Sequence, residues 1–344
     1  MPQQTPITPG QDTLLVILPT WLGDTVMATP AIAGLTRSGL FKRIELVARP
    51  GQGELIDGLE GVDAVHECDM KGLSSIARLR RISKDVMLLL PNSFRSALLA
   101  RLSRPGRLVG YARDGRGWLL NDGVTPPPRD QPVPAVDYYC TLVSGLIGEQ
   151  IIDRRLRLEV TDAQRSSVDG ILGERSGPAI LLNPGANRQD KRWSADRFAK
   201  VADMLSEQFN ATILVSGSPG ERALLDQVVT SASCRIINLQ EHLQGLGQLK
   251  AIMAQVDLLI TNDTGPRHIA TAVDTPVVCL FGPTDPRWTT LHQAREHLLL
   301  AEPYLPSDRI ADDHPGTCTI DRIQVDDVMH AAVRLLEDRH GSGA

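Results

Sequence analysis

The chain has 344 residues, of which 42% are hydrophobic and 22% charged, and its formal net charge is -5 at pH 7. This length is large for one typical domain and sufficient for two, each with its own core. No apolar run approaches the roughly 20 residues of a membrane-spanning helix, and the opening MPQQTPITPGQD lacks the features of a secretory signal. We therefore expect a cytoplasmic protein with two globular halves.

The pattern of apolar runs in the first half of the chain predicts buried parallel strands joined by amphipathic segments. The apolar runs that indicate these strands cover residues 14–19, 43–48, 85–91 and 107–112. A Pro-rich break, TPPPRDQPVP, follows, and the next segment predicts a helix from Val136 to Leu146. This alternation of strands and helices is typical of an α/β domain.

The same alternation starts again in the second half. Its apolar runs cover residues 179–185, 211–217, 235–239, 256–261 and 276–282. We therefore predict two doubly wound α/β domains, covering residues 1–160 and 161–324. The remaining segment, residues 325–344, contains a predicted helix from about Asp326 to Glu337 that could belong to either domain.

The two halves differ in charge. Residues 1–160 hold 19 Lys and Arg against 17 Asp and Glu, whereas the rest of the chain holds 17 against 24. Between Arg78 and Arg116 there are ten basic residues and two acidic ones. This stretch is either a solvated face of surface helices or a surface for an anionic partner such as phosphate groups or an acidic membrane. We do not expect nucleic acid as a partner.

The sequence shows no pattern typical of a metal site. It contains no D-x-D and no H-x-H, and no C-x-x-C pair occurs among its cysteines. The five cysteines are Cys68, Cys140, Cys234, Cys279 and Cys318. We expect reduced, mostly buried thiols and a reaction without a metal ion.

The most informative loop is TNDTGPRHIA, residues 261–270, which follows an apolar strand. Pro266 is favoured at the first position of a helix, so either Thr264 or Gly265 is the predicted cap. Free backbone N–H groups and the helix dipole would then favour an anion such as a phosphate or diphosphate. Arg267 and His268 fall in the first turn, where they could add donors or positive charge. The alternative is an ordinary capped helix.

Three more polar loops follow predicted strands in the second half, and the ligands of open α/β sheets bind at such strand ends. One carries Lys191 and Arg192, whose charges could neutralise phosphates. Another carries Glu221 at a helix start, where it would either bind a ribose diol or an amino group or complement its own helix dipole. The last carries Thr284 and Asp285. Together with residues 261–270, these loops predict a nucleotide-diphosphate pocket.

The first half has a different loop, LPTWLGDTVMATP, in which Gly23 allows a tight turn and Asp24 opens the next helix. One interpretation makes Asp24 the N-cap of that helix, a role that Asp often has. The other makes it a carboxylate that faces a cleft between the domains and takes a proton from an acceptor hydroxyl. Spacing leaves both interpretations open, and the G-x-G-x-x-G dinucleotide motif is absent here.

Three segments together resemble the signature regions of the glycosyltransferase family 9 heptosyltransferases. They are GDTVMATPAI, NPGANRQDKRW and NDTGPRHIATAVDTPVVCLFGPTDP, in the same order and spacing as in that family. The LPTWLGD form is closer to heptosyltransferase II than to heptosyltransferase I. Two positions depart from the family: Ser194 stands where Pro is usual, and Arg267 adds a charge beside the expected phosphates.

The resemblance implies a GT-B fold of two Rossmann-like domains that face a central cleft. The N-terminal domain would bind a lipid-linked anionic acceptor, the C-terminal domain would bind ADP-heptose, and residues 325–344 would cross back to the N-terminal domain. The reaction would be an inverting, metal-independent transfer of heptose to the lipopolysaccharide inner core, without a cofactor. The alternatives are a same-fold transferase with another nucleotide sugar or acceptor, and a nucleotide-sugar-binding protein without activity.

The resemblance also implies a role for individual residues. Asp24 would be the general base, and Glu221 would reach the ribose. Asp263 would anchor its loop. The diphosphate would be contacted by Lys191, Thr264, Gly265 and His268. We further expect Arg78, Arg80 and Arg81 to contact the acceptor or the inner membrane surface, on whose cytoplasmic face the protein would act as a monomer.

Overall fold

The computed structural model describes residues 9–10, 12–128, 131–292 and 294–341, with the backbone alone for residues 339–341. The chain divides into two compact units. The first comprises Met1–Glu159 with Trp288–His292, and the second comprises Val160–Arg287 with Gln293–Ala344. The division lies beside residue 160, where the sequence analysis places its domain boundary.

The first unit is built on a parallel sheet whose described strands have the order β3-β2-β1-β4-β5-β6. These strands are β1 (Thr13–Ile17), β2 (Arg43–Ala48), β3 (Ala64–Glu67), β4 (Val86–Leu89), β5 (Arg107–Tyr111) and β6 (Asp122–Val124). The central strand β1 pairs with both neighbours, so that Val16 lies opposite Leu46 on one side and Leu88 on the other. Its apolar side chains are buried, as expected where helices cover both faces of a parallel sheet, which explains its continuous apolar sequence.

Helices connect these strands. They are α1 (Leu22–Met27), α2 (Thr29–Arg37), α3 (Gly53–Ile56), α4 (Gly72–Arg81), α5 (Phe94–Leu102) and α6 (Ala135–Ile147). Helix α6 ends at Gly148, which has a positive φ of 73° that glycine adopts without strain. Helix α6 packs against α1 and α2, whereas α4 packs against α5.

The second unit is also built on a parallel sheet, whose described strands have the order β12-β11-β10-β7-β8-β9. The strands are β7 (Ala179–Asn183), β8 (Thr212–Val215), β9 (Ile236–Asn238), β10 (Leu258–Asn262), β11 (Val277–Phe281) and β12 (Glu296–Leu300). The helices are α7 (Asp162–Ser166), α8 (Ala195–Phe209), α9 (Arg222–Ser231), α10 (Leu246–Met253), α11 (Gly265–Ala272) and α12 (Val325–Gly341). Numbered from its own first strand, each unit has the order 3-2-1-4-5-6, which is the Rossmann order.

The predicted α/β fold with two doubly wound sheets is confirmed, and every predicted strand is present. The sequence analysis missed β3, β6 and β12. All three lie at the edges of their sheets and are only partly buried. Their sequences, AVHE, DGV and EHLLL, therefore lack the continuous apolar character of the central strands.

The last helix belongs to the core of the second unit. Val328, Ala332 and Leu336 of α12 are buried in the same apolar cluster as Trp193 and Phe198. The elements against which α12 packs are α8, β10, β11 and β12. The predicted return of residues 325–344 to the first domain stays a prediction.

All five cysteines are free thiols, and four of them are buried, as the sequence analysis predicted. Among the described residues, no helix is both long and apolar enough to span a membrane. No group of three or more His, Cys, Asp or Glu side chains in the described part of the chain is arranged to hold a metal ion. The metal-free reaction remains a prediction.

Candidate active site

The carboxyl ends of four adjacent strands bring the predicted loops of the second unit together. Asn262, the last residue of β10, is fully buried and connects two of these loops. Its amide nitrogen donates to the carbonyl oxygens of Pro184 (2.8 Å) and Gly185 (3.3 Å). Its amide oxygen accepts from the backbone N–H of Trp193 at 3.2 Å. The loop after β7 is therefore fixed against the end of β10. The sequence analysis assigned no role to Asn262, although it is a polar residue at the end of a buried strand.

Asp263 lies at the centre of the predicted site. Its carboxylate accepts a hydrogen bond from Lys191 Nζ at 3.1 Å and another from Thr284 Oγ1 at 3.4 Å. Arg267 Nη1 lies 3.3 Å from its other oxygen. Burial acts to raise the pKa of Asp263, but the cations Lys191 and Arg267 outweigh burial and hold this pKa below its usual value. Asp263 is therefore a buried carboxylate that fixes the position of the Lys191 ammonium group.

Arg267 is a structural residue of this cluster. Its side chain is fully buried, and its Nε and Nη2 each lie 2.9 Å from an oxygen of Glu296 on β12. The guanidinium also lies 5.0 Å from the centre of the Phe281 ring. The sequence analysis expected Arg267 to add charge beside the phosphates. In the structure Glu296 and Asp263 pair with the guanidinium inside the unit, and a role of Arg267 beside the phosphates stays a prediction.

The N-cap of helix α11 is Thr264, one of the two caps that the sequence predicted. The backbone of Thr264 is extended, and Gly265 and Pro266 form the start of the first turn. The Thr264 hydroxyl makes no capping bond to the helix. It donates instead to the carbonyl oxygen of Asn262 at 3.3 Å. The first N–H groups of the helix therefore have no side-chain cap, which is the arrangement that favours a bound anion.

His268 lies in the first turn of the same helix and is buried. Burial and the nearby Arg267 lower the pKa of His268 to about 3, so the ring is neutral at pH 7. Its Nδ1 atom is buried without a hydrogen-bond partner among the described residues. Of the two contributions predicted for His268, donors or positive charge, a neutral imidazole can supply hydrogen bonds as a donor or acceptor, and its contact with a diphosphate stays a prediction.

Glu221 stabilises the short 3-10 turn, Pro219–Glu221, that leads into α9. Its Oε2 accepts hydrogen bonds from the backbone N–H (2.8 Å) and the hydroxyl (2.7 Å) of Ser218, as in a capping box. A Cβ atom at Gly185 would overlap the Glu221 carboxylate, so only glycine allows the two loops this close. Of the two interpretations left open for Glu221, the structure supports the capping role, and the contact with a ribose stays a prediction.

In the first unit, Asp24 is the third residue of α1, whose N-cap is Trp21. The interpretation of Asp24 as the N-cap is therefore wrong. Its Oδ1 accepts a hydrogen bond from the hydroxyl group of Tyr139 on α6 at 3.1 Å. Burial raises the pKa of Asp24, and the bond from Tyr139 opposes this rise. Asp24 is thus a partly buried carboxylate with a neutral partner, whereas Asp263 has charged ones.

The predicted acceptor residues Arg78, Arg80 and Arg81 lie in the last turn of α4. Arg80 donates from Nε (3.1 Å) and Nη2 (2.9 Å) to the carbonyl oxygen of Leu102, at the end of α5. A helix that connects two parallel strands runs antiparallel to them. The C-terminal ends of α4 and α5 therefore lie at the amino ends of the strands, whereas Asp24 lies at the carboxyl ends. A cation at a helix C-terminus stabilises the helix dipole. The placement therefore favours this stabilising role over contact with an acceptor.

Arg116, at the end of the basic stretch, is buried and contributes to no exposed surface. Its guanidinium donates to the carbonyl oxygens of Pro91 (2.6 Å), Ser93 (3.3 Å) and Tyr111 (2.9 Å). Arg116 therefore fixes the loop that follows β4. The charge count alone could not distinguish this buried arginine from the exposed ones.

Comparison with known proteins identifies the family. The model of glycosyltransferase family 9 (heptosyltransferase) matches residues 73–314. The Haemophilus influenzae lipooligosaccharide heptosyltransferase 2 is 27% identical over 297 residues, which are 80% of this chain and 85% of that protein. The Escherichia coli lipopolysaccharide heptosyltransferase 2 is 27% identical over 82% of this chain and 86% of its own length.

Solved structures show the same fold. The structure of E. coli ADP-heptose LPS heptosyltransferase II superposes with a TM-score of 0.80, covers 95% of this chain and 99% of its own, and is 22% identical. A glycosyltransferase family 9 structure from Veillonella parvula also has a TM-score of 0.80, with 22% identity over 95% of this chain and 97% of its own. The predicted GT-B fold is confirmed by these matches. The chain belongs to glycosyltransferase family 9, the heptosyltransferase family.

Proposed function

We propose that the protein transfers heptose from ADP-heptose to the inner core of a lipopolysaccharide acceptor. Family membership and the names of the heptosyltransferase 2 relatives support this class of reaction. The observation that carries the proposal is the pairing of Lys191 with Asp263 at 3.1 Å, beside the uncapped first turn of α11. This arrangement places a cation and free N–H groups in one loop cluster, where they suit a diphosphate.

In the proposed donor site, Lys191 neutralises the diphosphate while Asp263 keeps the ammonium group in place. The backbone N–H groups of the first turn, which begins at Thr264 and Gly265, donate to phosphate oxygens. Neutral His268 supplies a further N–H donor. Glu221 contacts the ribose through the carboxylate oxygen that its capping box leaves less engaged. Each of these contacts is part of the proposal.

The proposed reaction is a single displacement with inversion at the anomeric carbon. A hydroxyl oxygen of the acceptor forms the new bond to this carbon as the bond between the carbon and the phosphate oxygen breaks, and ADP leaves. Asp24 takes the hydroxyl proton as general base. A raised pKa suits this role, because it makes the Asp24 carboxylate a stronger base than an ordinary aspartate. The proposal uses neither a metal ion nor a cofactor.

A lipid-linked acceptor also requires contact with a membrane surface, which we include in the proposal together with a cytoplasmic location. All large apolar side chains that are exposed in the described residues belong to the first unit. They are Trp21, Leu73, Phe94, Leu102, Trp118 and Ile152. The rings of Phe94 and Trp118 lie 6.2 Å apart, in segments that follow β4 and β5. Exposed aromatic residues of this kind suit the interface of a bilayer.

The test of the function is acceptor-dependent release of ADP. The protein is incubated with ADP-heptose and a panel of truncated core acceptors, and ADP and the extended glycan are measured together. We expect ADP release only with an acceptor that ends in the inner-core heptose. Release with a different nucleotide sugar would favour the alternative same-fold transferase. Binding of ADP-heptose without turnover on any acceptor would favour the non-catalytic alternative.

A further inference from the structure

Tyr139 holds the carboxylate to which the proposed function assigns base catalysis. Its side chain is 7% exposed and lies in the middle of α6, which packs against α1. The hydroxyl group of Tyr139 donates to Asp24 Oδ1 at 3.1 Å. The two residues lie 115 positions apart in the sequence, so this contact exists only through the packing of the two helices. A buried phenol hydroxyl needs a hydrogen-bond partner, and the Asp24 carboxylate supplies it.

The ring of Tyr139 is itself fixed by its neighbours. It packs edge to face against Tyr138, with ring centres 5.9 Å apart and planes at 83°. Tyr138 in turn packs against Tyr111 at 4.3 Å, and the Tyr111 hydroxyl group donates to the Tyr138 carbonyl oxygen at 2.8 Å. These contacts restrict the rotation of the ring, so the hydroxyl oxygen of Tyr139 has a defined position. The bond from this hydroxyl group to Oδ1 then restricts the orientation of the Asp24 carboxylate.

We propose that Tyr139 is a positioning residue for Asp24, a role that rests on the proposed function of Asp24 as general base. By occupying Oδ1, Tyr139 directs the acceptor hydroxyl proton to Oδ2. The Tyr139 hydroxyl also stabilises the ionised form of Asp24 in a partly buried site. Without it, Asp24 would lose a defined orientation, and a smaller fraction of the protein would carry the ionised base near neutral pH.

Other titratable groups on α6 and α2, the helices packed against α1, are Arg37, Asp137, Tyr138 and Cys140. Three of them contact groups other than Asp24. Asp137 binds Arg154 (2.8 Å) and His292 (3.2 Å), and Tyr138 accepts from Arg113 (3.2 Å). Arg37 Nε donates to the carbonyl oxygen of Ala33 at 3.1 Å. Burial raises the pKa of Cys140 to about 11, so its thiol is protonated at neutral pH.

The experiment compares Tyr139→Phe with Tyr138→Phe in the full-length protein. Both changes remove one hydroxyl group from adjacent residues of the same helix. Tyr138→Phe removes the oxygen that accepts from Arg113, whereas only Tyr139→Phe removes the bond to Asp24. Turnover with ADP-heptose and acceptor is measured as a function of pH. For Tyr139→Phe we expect kcat near pH 7 to fall by roughly ten-fold, the effect of losing one hydrogen bond to a charged group. The acidic limb of its profile should move to higher pH, with the donor KM little changed.

A double variant separates positioning from a merely structural role. If Tyr139 acts through Asp24, then Tyr139→Phe should cause no further loss of turnover when Asp24 is already Asn. An acidic limb at the wild-type pH, or an equal further loss in the Asp24→Asn background, would overturn the inference while leaving Asp24 as the base. If Asp24→Asn itself turned over normally, the base assignment would fail and the role of Tyr139 with it.

Discussion

The two units of this protein share a strand order but differ at the carboxyl ends of their strands. In the second unit, this edge is a buried network in which Lys191 and Arg267 are paired with Asp263 and Glu296. In the first unit, the corresponding edge carries Asp24, a partly buried carboxylate whose side-chain partner is a neutral phenol. The same scaffold therefore supports one edge suited to an anion and another suited to proton transfer.

Charge pairing explains the opposite pKa shifts of the two carboxylates. Burial acts to raise both pKa values. For Asp263 the cations outweigh burial, whereas for Asp24 the hydrogen bond from Tyr139 does not. A carboxylate with a lowered pKa is a stable anion that can hold a lysine, and one with a raised pKa is a better base. The proposed roles of the two carboxylates are thus consistent with the partners that each of them has.

The largest expected effect tests whether base catalysis belongs to the first unit. Asp24→Asn keeps the size of the side chain but removes the base, so turnover should fall by roughly 10²- to 10⁴-fold. The dissociation constant for ADP should stay within about three-fold, since the proposed donor contacts belong to the second unit. Turnover assays and calorimetry measure the two quantities separately. A variant with normal turnover would remove Asp24 from the mechanism.

The next effect tests whether charge pairing at the carboxyl ends of the strands stabilises the second unit. Arg267→Met leaves Glu296 buried without its bidentate partner, so the free energy of unfolding should fall by about 3–5 kcal/mol. A double change, Arg267→Met with Glu296→Leu, removes both charges and should recover most of this loss. Urea unfolding of the three proteins measures the difference. Equal stability of Arg267→Met and the wild type would show that the pair contributes no net stability.

Apolar patterning predicted most of the fold, because the central strands are buried on both faces. It failed at β3, β6 and β12, whose edge positions leave them partly exposed. The meeting of four loops at one edge of the second sheet was also predicted, because polar residues that follow buried strands in a parallel sheet share one edge.

Side-chain partners could not be predicted in the same way. The Lys191–Asp263 pair joins residues 72 positions apart, and the partner of Asp24 is 115 positions away. Spacing therefore could not decide whether Asp24 caps a helix or acts as a base. Only the resemblance to the family implied the catalytic role. Similarly, the sequence could not show that Arg267 is buried against Glu296, because β12 itself was missed.

A smaller effect is expected on the affinity for the diphosphate of ADP. Lys191→Ala should weaken ADP binding by roughly 10- to 100-fold, as expected for the loss of one charge-assisted contact with a phosphate. Arg188→Ala is the matched control, because Arg188 lies in the same loop but is exposed and pairs with Asp190 at 3.0 Å. Calorimetry with and without EDTA gives both affinities. If chelation weakened ADP binding by the wild-type protein, the proposed metal-free site would be wrong.

The apolar side chains of the first unit should give a modest effect on membrane contact. Trp118→Ser should lower partitioning to vesicles that contain anionic lipid by roughly ten-fold, since one interfacial aromatic residue is lost. Ile152→Ser is the control, because Ile152 is 86% exposed but lies after α6, outside the segments that follow strands. Cosedimentation measures the bound fraction. Equal losses in both variants would mean that the binding is not specific to the Phe94–Trp118 surface.

The smallest effect is a difference in the pH dependence of stability. The pKa of Asp24 is raised in the folded state, so the folded protein binds more protons than the unfolded chain between the unfolded value, about 3.9, and the folded one. The ionised Asp24 therefore costs stability as pH rises through this window. Asp24→Asn removes the cost, so its free energy of unfolding relative to the wild type should increase across the window and stay constant above it.

Asp263, whose pKa is lowered in the folded state, has the opposite sign. Its contribution to stability is present above the pKa of the unfolded chain and is lost as pH falls through the pKa of the folded protein. Denaturant titrations at several pH values test the contrast. A relative stability of Asp24→Asn that decreases with pH would show that Asp24 is held as a structural anion, like Asp263.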